Sequence, residues 1–194
     1  MLLLVRHGRT ERNAAGLLQG RADPPLDDHG RAQAVALGQI PMLAAASRVV
    51  SSPLLRARET AAALGPAVTV DERWTELDYG AWEGRPFASV TAEEWARWKD
   101  DVAWSPPGGE SIAAVGARVR AALADLAAGA TDADIAVVSH VSPIKAAVAW
   151  ALGVGDEVAW SVHLDPAGVT RIALVLGRGV VHSVNETAHL RPAG

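Results

Sequence analysis

The apolar residues of the chain form short runs of two kinds, some continuous and some with helical spacing. Leu2-Leu3-Leu4-Val5 and Ile135-Ala136-Val137-Val138 are continuous and stop abruptly, which is typical of strands buried on both faces of a parallel sheet. Further strands are predicted at 49–51, 68–70, 169–176 and 179–184, the last two closed into a hairpin through Gly177-Arg178.

Helical spacing fills most of the stretches between these strands. Asp27 and Ser111 stand where a side chain can cap a helix, and Ser52-Pro53 and Ser142-Pro143 predict helices that start with a capping serine and a proline. A short helix is predicted near 91–99. The predicted apolar sides are Ala32, Val35, Ala36, Leu37 and Ile40 for the Asp27 helix, and Ile112, Val115, Val119, Leu123 and Leu126 for the Ser111 helix.

Strands that alternate with helices predict an α/β fold, a three-layer sandwich whose mostly parallel central sheet carries helices on both faces. The length of 194 residues suits a single domain, 1–194. Segment 74–110 holds five of the seven tryptophans and predicts an insertion folded over one end of the sheet. These tryptophans form either an apolar lid or a packed core, and the three-residue spacing of Trp95 and Trp98 favours the core.

Composition narrows the classes of function. The absence of cysteine excludes a disulfide framework, a thiolate metal site and a cysteine nucleophile. No signal peptide or membrane-spanning run is evident, so we expect a cytoplasmic protein without a membrane partner. The sequence does not decide the oligomeric state, and a homodimer is possible. A net charge of −4 argues against a nucleic-acid partner, whereas four arginines against one glutamate in the first 21 residues favour a small anionic ligand.

Three predicted strand ends carry polar side chains to one edge of the sheet. Arg6-His7 follows the first strand, Ser51-Ser52 leads to Arg56 after the second, and His140 follows 135–138. Open α/β sheets bind ligands at the carboxyl ends of their strands. The helix that starts before Arg56 also offers free N–H groups and a positive dipole end. Two histidines, two arginines and a helix terminus suit a phosphoryl group, because guanidinium groups can hold its oxygens in pairs of bonds.

Five ordered motifs between residues 2 and about 185 resemble the histidine phosphatase superfamily, the group that includes cofactor-dependent phosphoglycerate mutases. They are Arg6-His7-Gly8 with Thr10 and Asn13; Ser51-Ser52-Pro53-Leu54-Leu55-Arg56-Ala57-Arg58-Glu59-Thr60; Glu76-Leu77-Asp78-Tyr79-Gly80-Ala81-Trp82-Glu83-Gly84; Gly108-Gly109-Glu110-Ser111; and Val138-Ser139-His140.

The resemblance implies a role for each motif residue. His7 is expected to be the nucleophile that forms a phosphohistidine, and Glu76 the acid that protonates the leaving oxygen and then activates water. The groups expected to bind the phosphoryl oxygens are Arg6, Arg56 and His140. Substrate is also expected to contact Asn13, Gln19 and Gly20. The insertion at about 74–110 is expected to cover this active site. It implies neither a metal nor another cofactor, since arginines and histidines supply the positive charge.

Two positions depart from the family pattern, and two acids compete with Glu76. Arg9 stands where the family often has glutamate, which adds charge at the mouth of the site or faces solvent. Val141 follows His140 where the family often has glycine. Asp78 and Glu83 lie close to Glu76 in sequence, so that only the register of the motif selects Glu76 as the acid.

The implied function is hydrolysis of a small phosphomonoester, without a metal, through phosphohistidine. One alternative is a mutase that returns the phosphoryl group to a second hydroxyl. The family's mutases have a longer insertion with extra basic residues, whereas here it is short and offers only Arg73, Arg85, Arg97 and Lys99 near the site. Another alternative is a non-catalytic binding domain, but such a domain is expected to lose motif residues, and this chain keeps all five motifs.

Overall fold

The computed structural model describes residues 1–65, 67–128, 133–175 and 178–191. One sheet of six strands, in the order β3-β2-β4-β1-β5-β6, runs through the middle. The strands are β1 (Leu2–Arg6), β2 (Arg48–Ser51), β3 (Val68–Val70), β4 (Ile135–Ser139), β5 (Val169–Val175) and β6 (Arg178–Glu186). The first four strands pair in parallel, whereas β5 is antiparallel to both β1 and β6. Leu176 and Gly177 of the predicted hairpin lie outside the described residues.

Helices cover both faces of this sheet. Their bounds are α1 (Glu11–Ala14), α2 (Asp28–Gly38), α3 (Pro41–Ala44), α4 (Leu55–Ala62), α5 (Ala92–Asp100), α6 (Ile112–Ala128) and α7 (Val141–Leu152), with 3₁₀ segments at Glu72–Trp74, Gly80–Trp82, Phe87–Ser89, Asp156–Ser161 and Ala188–Leu190. In the part of the chain that the structure describes, no helix is long and apolar enough to cross a membrane.

The alternation of side chains along the strands divides the interior into two cores. Leu2 and Leu4 of β1 pack with α6, α7 and most of the tryptophans, whereas Leu3 and Val5 pack with α2, α3 and α4 on the opposite face. Because successive strand residues point to opposite faces, the continuous apolar run fills both cores. The predicted α/β sandwich with helices on both faces is therefore confirmed.

The two amphipathic helices differ in how well their sequences predicted the buried side. The five apolar residues predicted for α6 are all buried. Of the five predicted for α2, Leu37 is buried, but Ala32 and Val35 are exposed, Val35 to 62%, so the prediction was wrong for these two. The buried residues of α2 are Gly30, Gln33, Ala34 and Leu37. Gly30 lies against the backbone of Arg9, and the Gln33 side chain accepts a hydrogen bond from the Arg9 N–H at 2.8 Å. Contact with the loop after β1 therefore sets which side of α2 is buried.

Two predicted helix starts were also wrong. α4 begins at Leu55 instead of at Pro53, and α7 begins at Val141 instead of at Pro143. At α4 the Asp23 carboxylate accepts the Leu55 N–H at 2.6 Å, so an acid from a distant loop occupies the helix end that was expected to bind an anion. A carboxylate also caps α7, and it belongs to the candidate site described below.

Segment 74–110 contributes α5 and a cluster of indole rings. As predicted, a helix follows Thr91, whose hydroxyl accepts the Glu94 N–H at 3.1 Å. Trp95 and Trp98 stack with ring centroids 5.6 Å apart, and Trp98 also meets the edge of Trp160 at 5.0 Å. Trp98 is fully inside the core, as the core interpretation expects, whereas Trp95 and Trp160 remain partly exposed at a cavity.

Candidate active site

The register of adjacent parallel strands brings the two motif histidines together. In the β1–β4 pair Arg6 lies opposite Ser139, so the next residues, His7 and His140, leave the sheet side by side with ring centroids 5.0 Å apart. β2 is the other neighbour of β4, and the Ser52 hydroxyl that follows it lies 2.7 Å from Nε2 of His140. Three strand ends therefore converge, as their positions in the sequence predicted.

His7 is held by its Nδ1 nitrogen, which leaves Nε2 facing the other basic residues of the site. Its Nδ1 lies 2.6 Å from the carbonyl oxygen of Gly8; because a carbonyl only accepts, Nδ1 carries the proton and Nε2 has the lone pair. Burial lowers the pKa of His7 well below its usual value, and the charges of Arg56 and Arg6 lower it further. The ring is therefore neutral at neutral pH.

Arg56 is fully buried beside this nitrogen. Its Nε donates to Nε2 of His7 at 3.2 Å, while Nη1 and Nη2 donate to the carbonyl oxygens of Ala22 and Gly20 at 2.7 and 2.8 Å. Burial lowers the pKa of Arg56 to about 10, so the guanidinium stays charged at neutral pH. Backbone carbonyls thus fix a charged donor against the ring of His7.

Gln19 and Gly20 surround Arg56 from the loop after α1. When the Gln19 amide is oriented to satisfy both of its ends, its oxygen accepts from Arg56 Nε at 2.9 Å and Nη1 at 3.1 Å, and its nitrogen donates to Thr10 at 2.6 Å. A Cβ at Gly20 would overlap the Leu77 carbonyl oxygen, so only glycine fits there. These two predicted substrate contacts therefore also position Arg56.

Asn13 lies one step further from His7. Its side chain and that of Thr10 form a reciprocal cap of α1, with the Thr10 N–H donating to the Asn13 oxygen at 3.1 Å and the Asn13 N–H to the Thr10 hydroxyl at 3.2 Å. Thr10 in turn contacts Gln19. Asn13 thus joins the site through Thr10 and Gln19.

Arg6 and His140 complete a basic cluster, a name used below for Arg6, His7, Arg56 and His140. Arg6 donates through Nη1 to the carbonyl oxygen of Leu164, and its Nε is buried with no partner among the described residues. The same holds for Nδ1 of His140, whose pKa is lowered well below its usual value by burial and by the charges of Arg56 and Arg6. Buried nitrogens without acceptors suit an oxygen-rich anionic ligand.

Glu76 is the acid nearest to this cluster, and it caps α7. It is 4% exposed, and its carboxylate accepts the N–H groups of Leu77, Val141 and Ser142 at 2.8, 3.0 and 3.1 Å. Its charge opposes the lowering of the pKa of Arg6 by burial. An acidic group at a helix amino terminus is stabilised by the dipole as well as by these bonds.

The neighbouring acids have other partners. Asp78 accepts the Gly80 N–H at 2.8 Å, which closes a local turn. Glu83 accepts the N–H groups of Gly20 and Arg21, each at 3.0 Å, and pairs with Arg12 at 3.2 Å. Of the three acids in this segment, only Glu76 is buried at the start of α7.

The two departures from the family pattern leave the cluster intact. Arg9 pairs with Asp27 at 2.8 Å, which ties it to the cap of α2. Val141 keeps its backbone N–H on Glu76, so the replacement of glycine does not remove that contact.

Sequence reasoning missed the role of Ser52, which it used as a helix cap. The signal available was its position directly after a predicted strand, β2, whose end lies beside the end of β4 that leads to His140. It also missed Asp23, Ala22 and Lys145, because their positions depend on how a long loop and a helix fold back on the sheet.

Comparison with known proteins agrees with this geometry. A sequence profile of the histidine phosphatase superfamily (branch 1) matches residues 2–187. A bifunctional protein of Mycobacterium tuberculosis is 39% identical over 198 residues, which cover 97% of this chain but 54% of that protein. The chain thus spans about half the length of that relative.

Two further relatives match over nearly their whole length. Phosphoserine phosphatase 1 of Hydrogenobacter thermophilus is 34% identical over 199 residues, covering 97% of this chain and 93% of that one. A mycobacterial glucosyl-3-phosphoglycerate phosphatase, solved in complex with VO3, superimposes with a TM-score of 0.88 at 31% identity, over 96% of this chain and 98% of that one. Motifs, fold and comparisons agree, and the chain belongs to the histidine phosphatase superfamily.

Proposed function

We propose that this chain hydrolyses a small phosphomonoester through a phosphohistidine on His7, without a metal ion. The observation that carries the proposal is the pair formed by His7 and Arg56. A neutral ring, with its proton held on Nδ1 by Gly8, directs the lone pair of Nε2 at a charged guanidinium that can bind a phosphoryl oxygen. The relatives that act on phosphoserine and glucosyl-3-phosphoglycerate support the same substrate class for this chain.

In the first step the Nε2 lone pair forms a bond to phosphorus, and the bond between phosphorus and the ester oxygen breaks. Arg6, Arg56 and His140 stabilise the charge on the phosphoryl oxygens during transfer. Glu76 gives a proton to the leaving oxygen, so that an alcohol departs instead of an alkoxide. The negative charge of the bound phosphoryl group favours that proton on Glu76, against the three N–H groups that stabilise its carboxylate. The Gly8 carbonyl, which accepts from Nδ1, favours the positive charge that the ring acquires.

In the second step water attacks phosphorus and the bond to Nε2 breaks. The Glu76 carboxylate formed in the first step takes the proton of that water, and inorganic phosphate leaves. In this proposal Gln19 and Gly20 border the substrate and also hold Arg56 in place, and Asn13 supports them through Thr10. Segment 74–110 covers the site, and the chain is a single domain. A cytoplasmic location stays a prediction, and a monomer and a homodimer stay open.

The side chains of the insertion favour hydrolysis over mutase chemistry. Arg73 pairs with Asp71 and Asp125, at 2.7 and 2.6 Å, and Arg85 pairs with Glu94 at 3.0 Å. The Arg97 guanidinium lies over the ring of Trp104, 5.1 Å from its centroid. Three of the four basic groups that were candidates for holding a bisphosphate therefore already have partners.

Phosphoryl transfer to His7 can be tested directly. The protein is mixed briefly with a ³²P-labelled phosphomonoester in the presence of a chelator and quenched in alkali. We expect a base-stable, acid-labile label on the peptide that contains His7, and release of inorganic phosphate. His7→Asn, whose amide can still donate to Gly8, should lose both.

His29→Asn serves as a control because His29 is exposed and outside the basic cluster. It should keep label and turnover. Phosphate release by His7→Asn at the wild-type rate would refute the mechanism. Interconversion of 2- and 3-phosphoglycerate that depends on 2,3-bisphosphoglycerate, with little phosphate release, would favour the mutase instead.

A further inference from the structure

A cavity of about 580 Å³ lies beside the first turn of α7, the helix end that the Glu76 carboxylate caps. Val141 and Ser142 line it, and the N–H groups of the same two residues donate to the Glu76 carboxylate. Its volume lies in the range of sites that bind small molecules, about 300–1,000 Å³. The cavity therefore begins where the proposed acid would meet the leaving oxygen.

The walls of this cavity are mainly aromatic, and it is called the aromatic cavity below. The rings that line it are Tyr79, Phe87, Trp95, Trp98 and Trp160. Most of these rings contact one another, so the wall is a packed surface, with Trp98 inside the core. Such a wall gives an organic group a large apolar contact area.

The charged groups of the cavity have one sign. The chain contains two lysines, Lys99 and Lys145, and both line the cavity. His163 lines it too and contacts Asp165 at 3.1 Å, but among the described lining residues there is no aspartate or glutamate. A ligand with a negative group would therefore meet only cationic or neutral side chains.

Lys145 is the more informative of the two lysines. It is half-buried on α7, one turn beyond Val141, and within the described ranges it forms neither an ion pair nor a hydrogen bond. Burial lowers the pKa of Lys145, and the charge of Glu76 opposes that change. Placing an ammonium group in an aromatic cavity without a hydrogen-bonding partner is costly, and an anionic ligand would offset that cost.

Resting on the phosphatase function proposed above, we propose that the aromatic cavity receives the leaving alcohol and that Lys145 selects alcohols carrying a second negatively charged group, such as a carboxylate. An ester whose phosphorus is in line with His7 and whose leaving oxygen is at Glu76 extends its carbon skeleton into this cavity. The carboxylate then pairs with Lys145.

Two esters of equal shape test this selection. 3-Carboxyphenyl phosphate and 3-carbamoylphenyl phosphate differ in the charge of one substituent, and both have aryl leaving groups. We expect the wild-type protein to hydrolyse 3-carboxyphenyl phosphate with a kcat/KM at least roughly tenfold higher than that for 3-carbamoylphenyl phosphate, since hydrogen bonds to charged groups are the stronger ones. Lys145→Met should lower that ratio about tenfold, mainly through KM, and Lys145→Arg should restore part of it.

Arg48→Met is the matched control, because it removes one positive charge from an exposed residue at the opposite end of β2. It should leave the ratio within about twofold of the wild-type value. A measurement without any variant is competitive inhibition by the two products, in which 3-hydroxybenzoate should bind roughly tenfold more tightly than 3-hydroxybenzamide.

The possible outcomes separate this proposal from the phosphatase function. The role of Lys145 is overturned by any of three results: equal hydrolysis of the two esters, equal inhibition by the two products, or an unchanged ratio in Lys145→Met. In each of these cases, release of phosphate still upholds the phosphatase function. If the wild-type protein releases phosphate from neither ester and His7 takes no label, both proposals fail.

Discussion

The basic cluster and the aromatic cavity both lie near the start of α7 but are held in place by different interactions. In the cluster, His7, Arg56 and His140 are each fixed by hydrogen bonds to backbone carbonyls or to a serine hydroxyl. In the cavity, indole and phenyl rings are held mainly by packing against one another. Directional bonds suit a group of fixed shape such as phosphoryl, whereas packed rings accept organic groups of several shapes. We therefore expect the cluster to determine the reaction and the cavity to determine the substrate.

The largest effect is expected for Arg56→Ala. Removing one donor that is already in place at the reacting group should lower kcat by roughly 10²–10³-fold. Because the proposed mechanism places Arg56 at the phosphoryl end, alkyl and aryl esters should be slowed alike. Steady-state kinetics with both ester types test this, with Arg48→Ala as the control. A loss confined to one leaving group would place Arg56 in the selection of substrate.

Glu76→Gln tests the junction of the two regions. An alkyl alcohol leaves poorly without a proton, so an alkyl phosphate should be hydrolysed at least roughly 10²-fold more slowly. p-Nitrophenolate leaves without help, so the burst of p-nitrophenol in pre-steady-state kinetics should slow far less. The amide would also place an N–H₂ group opposite a backbone donor of α7, so the free energy of unfolding should fall by about 1–3 kcal/mol.

Asp78→Asn and Glu83→Gln are the matched variants for Glu76. Neither should show a dependence on the leaving group, because their carboxylates bind a turn and the loop around Gly20. If one of them does and Glu76→Gln does not, the acid is a different residue, and the chemistry of His7 is unaffected.

The buried histidines should make stability depend on pH. The folded-state pKa values of His7 and His140 are lowered, so below the usual pKa near 6.5 the unfolded chain binds protons that the folded chain does not. Stability is therefore full above that pH and falls as pH decreases. Between pH 7.5 and 5.5 each histidine should remove about 1.4 kcal/mol from the free energy of unfolding. Denaturant titrations measure this, and His140→Gln should about halve the loss; an equal loss in that variant would contradict the assignment.

The smallest effect is expected in the aromatic cavity, for Phe87→Ala. Phe87 is 58% exposed and its ring contacts Trp95 at 4.7 Å between centroids. Its removal should raise KM for aryl phosphates by roughly two- to threefold, because an exposed ring buries little additional area on binding. KM for a short alkyl phosphate, which does not reach this wall, should stay the same. Equal changes for both esters would show that Phe87 acts on the fold of the insertion.

The sequence predicted the parts of the molecule that depend on local pattern and strand order. The run Leu2–Val5 and the abrupt change at Arg6 and His7 were enough to place β1 and one side of the site, because a buried strand and a polar strand end are both visible in sequence. Parallel pairing of β1 with β4 then brought His140 to the same edge.

The sequence did not predict features set by contacts between distant segments. The start of α4 depends on Asp23, 32 residues away, and the start of α7 on Glu76, 65 residues from Val141. The buried side of α2 depends on Gly30 and the backbone of Arg9. In each case a tertiary partner outweighed a local capping or periodicity signal, and no local pattern contains that partner.

The five-pair register between β1 and β4 also limits where motion can occur during turnover. His7 and His140 emerge from the middle of a hydrogen-bonded sheet, whose strands open only when much of the fold opens. Their separation is therefore fixed on the timescale of a reaction cycle. Entry of substrate and departure of product must then be accommodated by the loop that carries Gly20 and Asp23 and by the segment that contains α5. Amide hydrogen exchange should consequently be slow in β1 and β4 and faster in those two segments, and a bound oxyanion should slow the loop most.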